Sequence, residues 1–183
     1  MLPSEVDLTT PTDDELAARL RRRDDVALRI AYARFATPLL RLAFRFLDSL
    51  DEAEDVVQEV FVGLPLALRH YEERGAFAAW LKQVTVRTAL MHRRSRERRR
   101  DALLGFPTFR RQSTAPDPVL ERLTLETALA ALPQSQRDVF VLYHVEHFSH
   151  AEIATLLGIR RGTAEVRLHR AVKRLRTLLE GDR

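Results

Sequence analysis

Three histidines, His144, His147 and His150, have a spacing that could hold a metal ion. They straddle a predicted helix end and no constellation of carboxylates surrounds them, and histidines so placed are ordinarily surface or packing residues. The chain contains no cysteine, which removes disulfides, thiol catalysis and thiolate zinc sites. It also shows no Ser-His-Asp set, no glycine-rich phosphate loop and no paired catalytic acids. A non-enzymatic protein without a cofactor is therefore expected.

What remains is the chemistry of arginine. The formal net charge is only +4, but the cations are bunched. Residues 93 to 100 read RRSRERRR, and a later stretch carries Arg160, Arg161, Arg167, Arg170, Lys173, Arg174 and Arg176 against the single acid Glu165. Residues 48 to 59, by contrast, are strongly acidic. One such run is usually a solvated helix face; two on predicted helices favour a polyanionic partner.

Those cations must be held by a scaffold, and its periodicity is helical. At 183 residues, 45% hydrophobic and 31% charged, the chain has room for two small cores. No stretch alternates as a strand would, so the fold class is all-α, with two small helical domains. Thr12 with Glu15, Asp51 with Glu54 and Ser149 with Glu152 have the spacing of capping boxes. Helices are predicted over 13–22, 25–47, 52–70 and 76–98, then over 119–131, 134–146, 150–157 and 162–179. Leu39, Leu42, Ala43, Phe46 and Leu47 form one apolar stripe, and Val56, Val57, Val60, Phe61 and Leu64 another. Pro65, near Gly63, predicts a kink or early stop in the third helix.

Between Asp101 and Pro118 the periodicity lapses and Gly, Pro, Ser and Thr accumulate, as in a flexible linker. The expected organisation is a tail over 1–12, a first domain over 13–100, a linker over 101–118 and a second domain over 119–183. No apolar run approaches the roughly 20 residues that cross a bilayer, and MLPSEVDLTT lacks the pattern of a signal peptide, so a cytoplasmic protein without stable membrane insertion is expected.

The most informative stretch is SHAEIATLLGIRRGTAEVRLHRAVKRLRTLL, residues 149 to 179. A capped short helix turns Ile153, Leu156 and Leu157 inward, and Gly158 can take the left-handed conformation that ends it. In the following helix Ala164, Leu168, Ala171, Val172, Leu175 and Leu179 share one face, while Thr163, Val166, Arg167, Arg170, Lys173 and Arg174 lie opposite. That is the pattern of a helix-turn-helix, whose second helix enters the major groove with its first turns and meets phosphates with later cations.

This C-terminal block, from ALAALPQSQRDVFVLYHVEHFSHAEIATLLGI onward, resembles the −35 reading domain of extracytoplasmic-function sigma factors. EAEDVVQEVF at 52–61 and YEERGAFAAWLKQVTVRTAL at 71–90 resemble the polymerase-binding and −10 reading domain of the same family, in the same order. The resemblance spans residues 13 to 98 and 120 to 179. It implies a promoter-specificity subunit whose partners are core RNA polymerase and promoter DNA. Anti-sigma factors commonly regulate the family and are a further implied partner.

Residue by residue, the resemblance assigns polymerase binding to Asp55, Gln58, Glu59 and Phe61, with Phe61 open to two readings, exposed anchor or bundle core. It assigns the −10 element to Tyr71 and Arg74, as a shelf for an extruded base, and to Gln83, Arg87 and Arg94. Phe77, Trp80, Leu81 and Val84 read as core. The −35 element falls to Arg160, Arg161, Thr163, Glu165, Val166, Arg167, Arg170 and Lys173. Arg87 stands where many relatives have Asn, replacing a short amide with a long cation suited to stacking on a base or holding phosphate. Glu165 and Val166 stand where Lys and Ser are frequent. Val166 could meet a thymine methyl, and Glu165 either accepts from cytosine or tunes the turn. The competing functions are a stand-alone helix-turn-helix regulator and a histidine-based metallohydrolase.

Overall fold

A computed structural model of the chain describes residues 11–71, 76–104 and 125–180. Helix is the only regular secondary structure among the described residues, and the chain divides into two compact units, Met1–Arg96 and Glu97–Arg183.

The first unit opens with α1 (Asp13–Arg21), started by a complete Thr12–Glu15 capping box. The Thr12 amide donates to Glu15 Oε2 at 2.9 Å, and the Glu15 amide to Thr12 Oγ1 at 3.3 Å. Helix α2 (Asp25–Leu47) is capped by Asp24, whose carboxylate accepts from the amides of Val26 and Ala27. Helix α3 (Leu50–Ala67) starts two residues earlier than the Asp51–Glu54 spacing predicts. Asp48 closes α2 in the left-handed region at φ 54°, leaving Ser49 extended at φ −143° with its hydroxyl facing the Glu52 amide. Ser49, and not Asp51, is the cap.

Pro65 does not stop α3 where it stands. The α geometry continues to Ala67 and tightens into a 3₁₀ turn over Leu68–His70. Proline removes the bond that would reach the Phe61 carbonyl, but Leu64 and Leu68 on either side are fully buried. Each such burial stabilises by roughly 1.5–3 kcal/mol, enough to hold the helix through the defect.

Helix α4 (Phe77–Leu104) runs beyond the predicted end at residue 98, so residues 101 to 104 are helix and not linker. The rest of the predicted linker lies outside the described residues, as does 119–124 of the predicted fifth helix. The first core holds both apolar stripes of α2 and α3 together with Phe77, Leu81, Val86, Ala89 and Leu90. Trp80 and Val84 are only half-buried, although the Trp80 ring stacks on Phe77 at 5.9 Å and 25°.

The second unit contains α5 (Leu125–Ala130), α6 (Gln134–Phe140), α7 (His150–Leu157) and α8 (Arg161–Glu180). The single α-helix predicted over 134–146 changes register. After Phe140 the chain widens into a π turn over Val141–Val145, in which the Glu146 amide donates to the Val141 carbonyl at 3.1 Å. His147 then takes φ 61°, turning the chain toward Ser149. Ala128, Leu132, Ala171 and Leu175 form one core cluster, with Leu178 packed against it. Leu179, predicted to face inward, is 41% exposed. The stripe 164, 168, 171, 175, 178 keeps the alternating four-and-three spacing that holds one face of a helix, and Leu179 falls outside it.

Candidate nucleic-acid and polymerase interfaces

The helix-turn-helix is built from local chemistry. Ser149 and Glu152 form a reciprocal capping box, with the Ser149 amide donating to Glu152 Oε2 at 2.9 Å and the Glu152 amide to Ser149 Oγ at 3.3 Å. Such a cap contributes about 1 kcal/mol. Ile153, Ala154 and Leu156 turn inward, while Leu157 is half-buried. Gly158 ends α7 at φ 65°, and the Ile159 amide closes the turn on the Ala154 carbonyl at 3.0 Å. The Arg160 carbonyl then receives the amides of Thr163 and Ala164, which starts α8.

Every residue assigned to the −35 element reaches the surface. Arg160, Arg161, Glu165, Val166, Arg170 and Lys173 are exposed, and Thr163 and Arg167 half-buried. Arg161 Nε donates to Glu165 Oε1 at 3.0 Å, so the one acid of the cationic face is tied to a cation one turn before it.

On α3, Asp55, Gln58 and Glu59 are exposed. Phe61 is not an exposed anchor: it is 6% exposed, with its ring 5.0 Å from that of Tyr32 on α2. It forms the inner wall of an open apolar cavity of about 370 Å³, lined also by Leu28, Arg29, Tyr32, Ala33 and Val62. Exposed apolar surface on α3 belongs instead to Val62, 83% exposed, and Leu66, 62% exposed, with Leu50 exposed at the start of the helix. Residues 55, 59, 62 and 66 recur at four-three-four spacing and share a face, a signal already present in the sequence.

Helix α4 carries the −10 candidates. Arg87 and Arg94 are exposed and Gln83 half-buried, and Met91, absent from the sequence-based set, joins their face at 61% exposure. Tyr71 is no base-stacking shelf. It is 5% exposed, its ring 5.7 Å from Phe77 and 5.1 Å from Trp80, and its hydroxyl donates to Asp14 at 3.3 Å. Arg21 donates to the Tyr71 carbonyl and to that of Leu68, fixing the chain where it leaves the 3₁₀ turn. Arg74 lies outside the described residues.

The RRSRERRR run is partly spent on the fold. Arg93 and Arg96 donate to the Phe46 and Leu47 carbonyls at the C-terminal end of α2, where cations are favoured by the helix dipole. Arg96 also donates to Glu52 at 2.6 Å, and His92 Nε2 lies 2.6 Å from Glu59 Oε2. The rings of His144 and His150 both lie against Tyr143, at 5.0 and 4.7 Å, and no group of potential metal ligands occurs among the described residues. No helix among them is long and apolar enough to cross a membrane.

Comparison with known proteins agrees with this geometry in both units. Residues 31–99 match Sigma-70 region 2 and residues 122–175 match Sigma-70, region 4. The chain is 36% identical over 160 residues to the ECF RNA polymerase sigma factor SigL of Mycobacterium tuberculosis, covering 84% of this chain and 89% of that one. It is 33% identical over 152 residues to the ECF RNA polymerase sigma factor SigE of Mycolicibacterium smegmatis, covering 79% of this chain and 58% of that one. Among solved structures, CnrH in complex with the cytosolic domain of CnrY superposes at a TM-score of 0.61, with 26% identity over 94% of this chain and 100% of that one. RpoE in complex with the anti-sigma factor NepR, from Bartonella quintana, gives 0.62, with 25% identity over 85% of this chain and 98% of that one. Two regions in family order, together with a full-length relative above 30% identity, place the chain among the extracytoplasmic-function RNA polymerase sigma factors of the sigma-70 family.

Proposed function

We propose that the chain docks to core RNA polymerase through the exposed face of α3 and reads promoter DNA with α4 and α8, directing initiation without catalytic chemistry of its own. The observation that carries this reading is the presence in one chain of two different surfaces. One is the acidic and apolar stripe Asp55, Gln58, Glu59, Val62 and Leu66; the other is a cation-edged helix-turn-helix. Carboxylates beside a desolvating apolar patch suit a protein partner, whereas arginines around a bare helix start suit duplex DNA. A domain over 13–100 serves polymerase and the −10 element, a linker lies within 101–118, and a domain over 119–183 serves the −35 element.

On α4, Arg87, Met91 and Arg94 form the face offered to the −10 element, with Gln83 at its edge. The buried Tyr71 acts by holding that helix in place, and Arg74 retains the role the family gives it. On α8, the methyls of Val166 meet a thymine methyl while Arg167, Arg170 and Lys173 track phosphates. The solved relative RpoE, bound to the anti-sigma factor NepR, supports an anti-sigma factor as a third partner. A factor working beside polymerase acts in the cytoplasm.

Reconstituted transcription tests the reading. Purified chain added to core polymerase is expected to start transcripts at a defined set of promoters, and Val62→Asp to reduce capture of core by at least tenfold while the fold survives. A stand-alone regulator would bind the same DNA with no need of core and would start nothing. Replacing Val166 with Ser in promoter-library selections is expected to weaken a thymine preference at one −35 position; an unchanged profile removes that contact.

A further inference from the structure

We infer that Glu165 is a positioning residue: it holds the Arg161 guanidinium so that its remaining N–H edge reads a guanine in the −35 element. This rests on α8 being the helix that enters the groove. An acid on that face is otherwise unfavourable, since every phosphate beside the groove repels it. Its partner removes the contradiction. Arg161 stands at the first residue of α8 and Glu165 one turn later, and Arg161 Nε donates to Glu165 Oε1 at 3.0 Å. The two side chains remain 71% and 46% exposed, so the pair is presented to solvent and not folded into the protein.

The atom used is what matters. A guanidinium has five N–H donors, and a bond through Nε leaves both Nη groups free. Those two groups are the pair that matches guanine O6 and N7 in the major groove. The bond also removes rotamer freedom from a long side chain before DNA arrives, so less is lost on docking. Gly162 lies between the partners, and a Cβ built there meets nothing within 4 Å, which leaves the first turn of α8 bare enough for a base edge to come close. This gives Glu165 a role different from both readings offered by the sequence: its effect on base choice passes through Arg161, neither through a cytosine of its own nor through the turn.

The test uses the full chain with core polymerase on a promoter library randomised across the −35 element, comparing wild type, R161A, E165A, E165Q and R161A/E165A. Both positions are on the surface, so helicity by circular dichroism should be unchanged. E165A is expected to reduce the preference for guanine at one position by about fivefold to tenfold. R161A should remove that preference, and adding E165A to R161A should change nothing further. E165Q, which keeps an acceptor oxygen, should retain most of the preference. The inference is overturned if E165A leaves every position unchanged, if E165Q loses as much as E165A, or if the double variant loses a cytosine preference that R161A keeps. Wild-type protein that starts no transcript from any library member defeats the sigma-factor reading itself, an outcome distinct from these three.

Discussion

The two units are held together by different materials. The first gathers rings: Phe77 is fully buried and touches Phe35, Tyr71 and Trp80, with centroid separations of 5.7, 5.7 and 5.9 Å. The second has no such buried cluster of rings among its described residues: Phe148 is its buried ring and aliphatic side chains fill the rest, while fully buried alanines occur in both units, Ala31, Ala43 and Ala53 in the first and Ala128, Ala164 and Ala171 in the second. Rings contribute large buried areas and a few preferred geometries, so one residue there carries much stability. Alanines let backbones approach closely, and stability is spread over many shallow contacts. The first unit is therefore the more vulnerable to deletion of a ring, whereas overfilling at a buried alanine threatens both.

The largest test of that contrast is Phe77→Ala, expected to destabilise the first unit by about 3–5 kcal/mol. Denaturant titration followed by emission of Trp80, the single tryptophan, reads it directly; a loss under 1 kcal/mol would break the comparison. Next comes Ala171→Leu, which forces extra methyls against Leu175 and Ala128 and is expected to cost about 1–3 kcal/mol by thermal melting, where a rise in stability would mean the second core has room to spare. Ser149→Ala removes one half of the α7 capping box and is expected to cost about 1 kcal/mol, with Ser149→Thr close to wild type. The smallest effect is that of acid on the first unit. The Arg19 hydrogen bond, then the Ala27 amide, hold the Asp24 carboxyl below the ordinary aspartate range. A depressed folded-state value contributes stability that is present above the unfolded aspartate range and lost as pH falls through the folded one. Asp24→Asn should therefore lower stability slightly at neutral pH, where the ionised carboxylate contributes, and flatten the acid limb of the profile below about pH 4.

Polar faces were more legible from the residues than aromatic ones. On α8 the cations and Val166 stand opposite a clean apolar stripe, and periodicity alone places them outward. A ring carries no such label: Phe61 and Tyr71 sit in motifs that suggest contact with partners, yet burying either is worth more than exposing it. Their fate depends on Tyr32, Asp14 and Arg21, distant in sequence, which no local pattern reveals. Arg93 and Arg96 misled for the same reason, since a basic run does not disclose that α2 ends beside it with free carbonyls. Val62 and Leu66 were legible but eclipsed by the more polar residues around them. The two-residue shift of the α3 start came from Asp48, whose left-handed backbone decides which side chain is free to cap.

The ties between α3 and α4 have a consequence for genetics. Glu52 is bound by Arg96 and Glu59 by His92, so the helix proposed to face polymerase and the helix proposed to read the −10 element share two crosspieces. Neither His92 nor Arg96 need touch any partner to matter. Substitutions at these two positions are expected to surface in screens for weakened holoenzyme assembly and, independently, in screens for altered −10 preference, a double phenotype that no residue confined to one face would give.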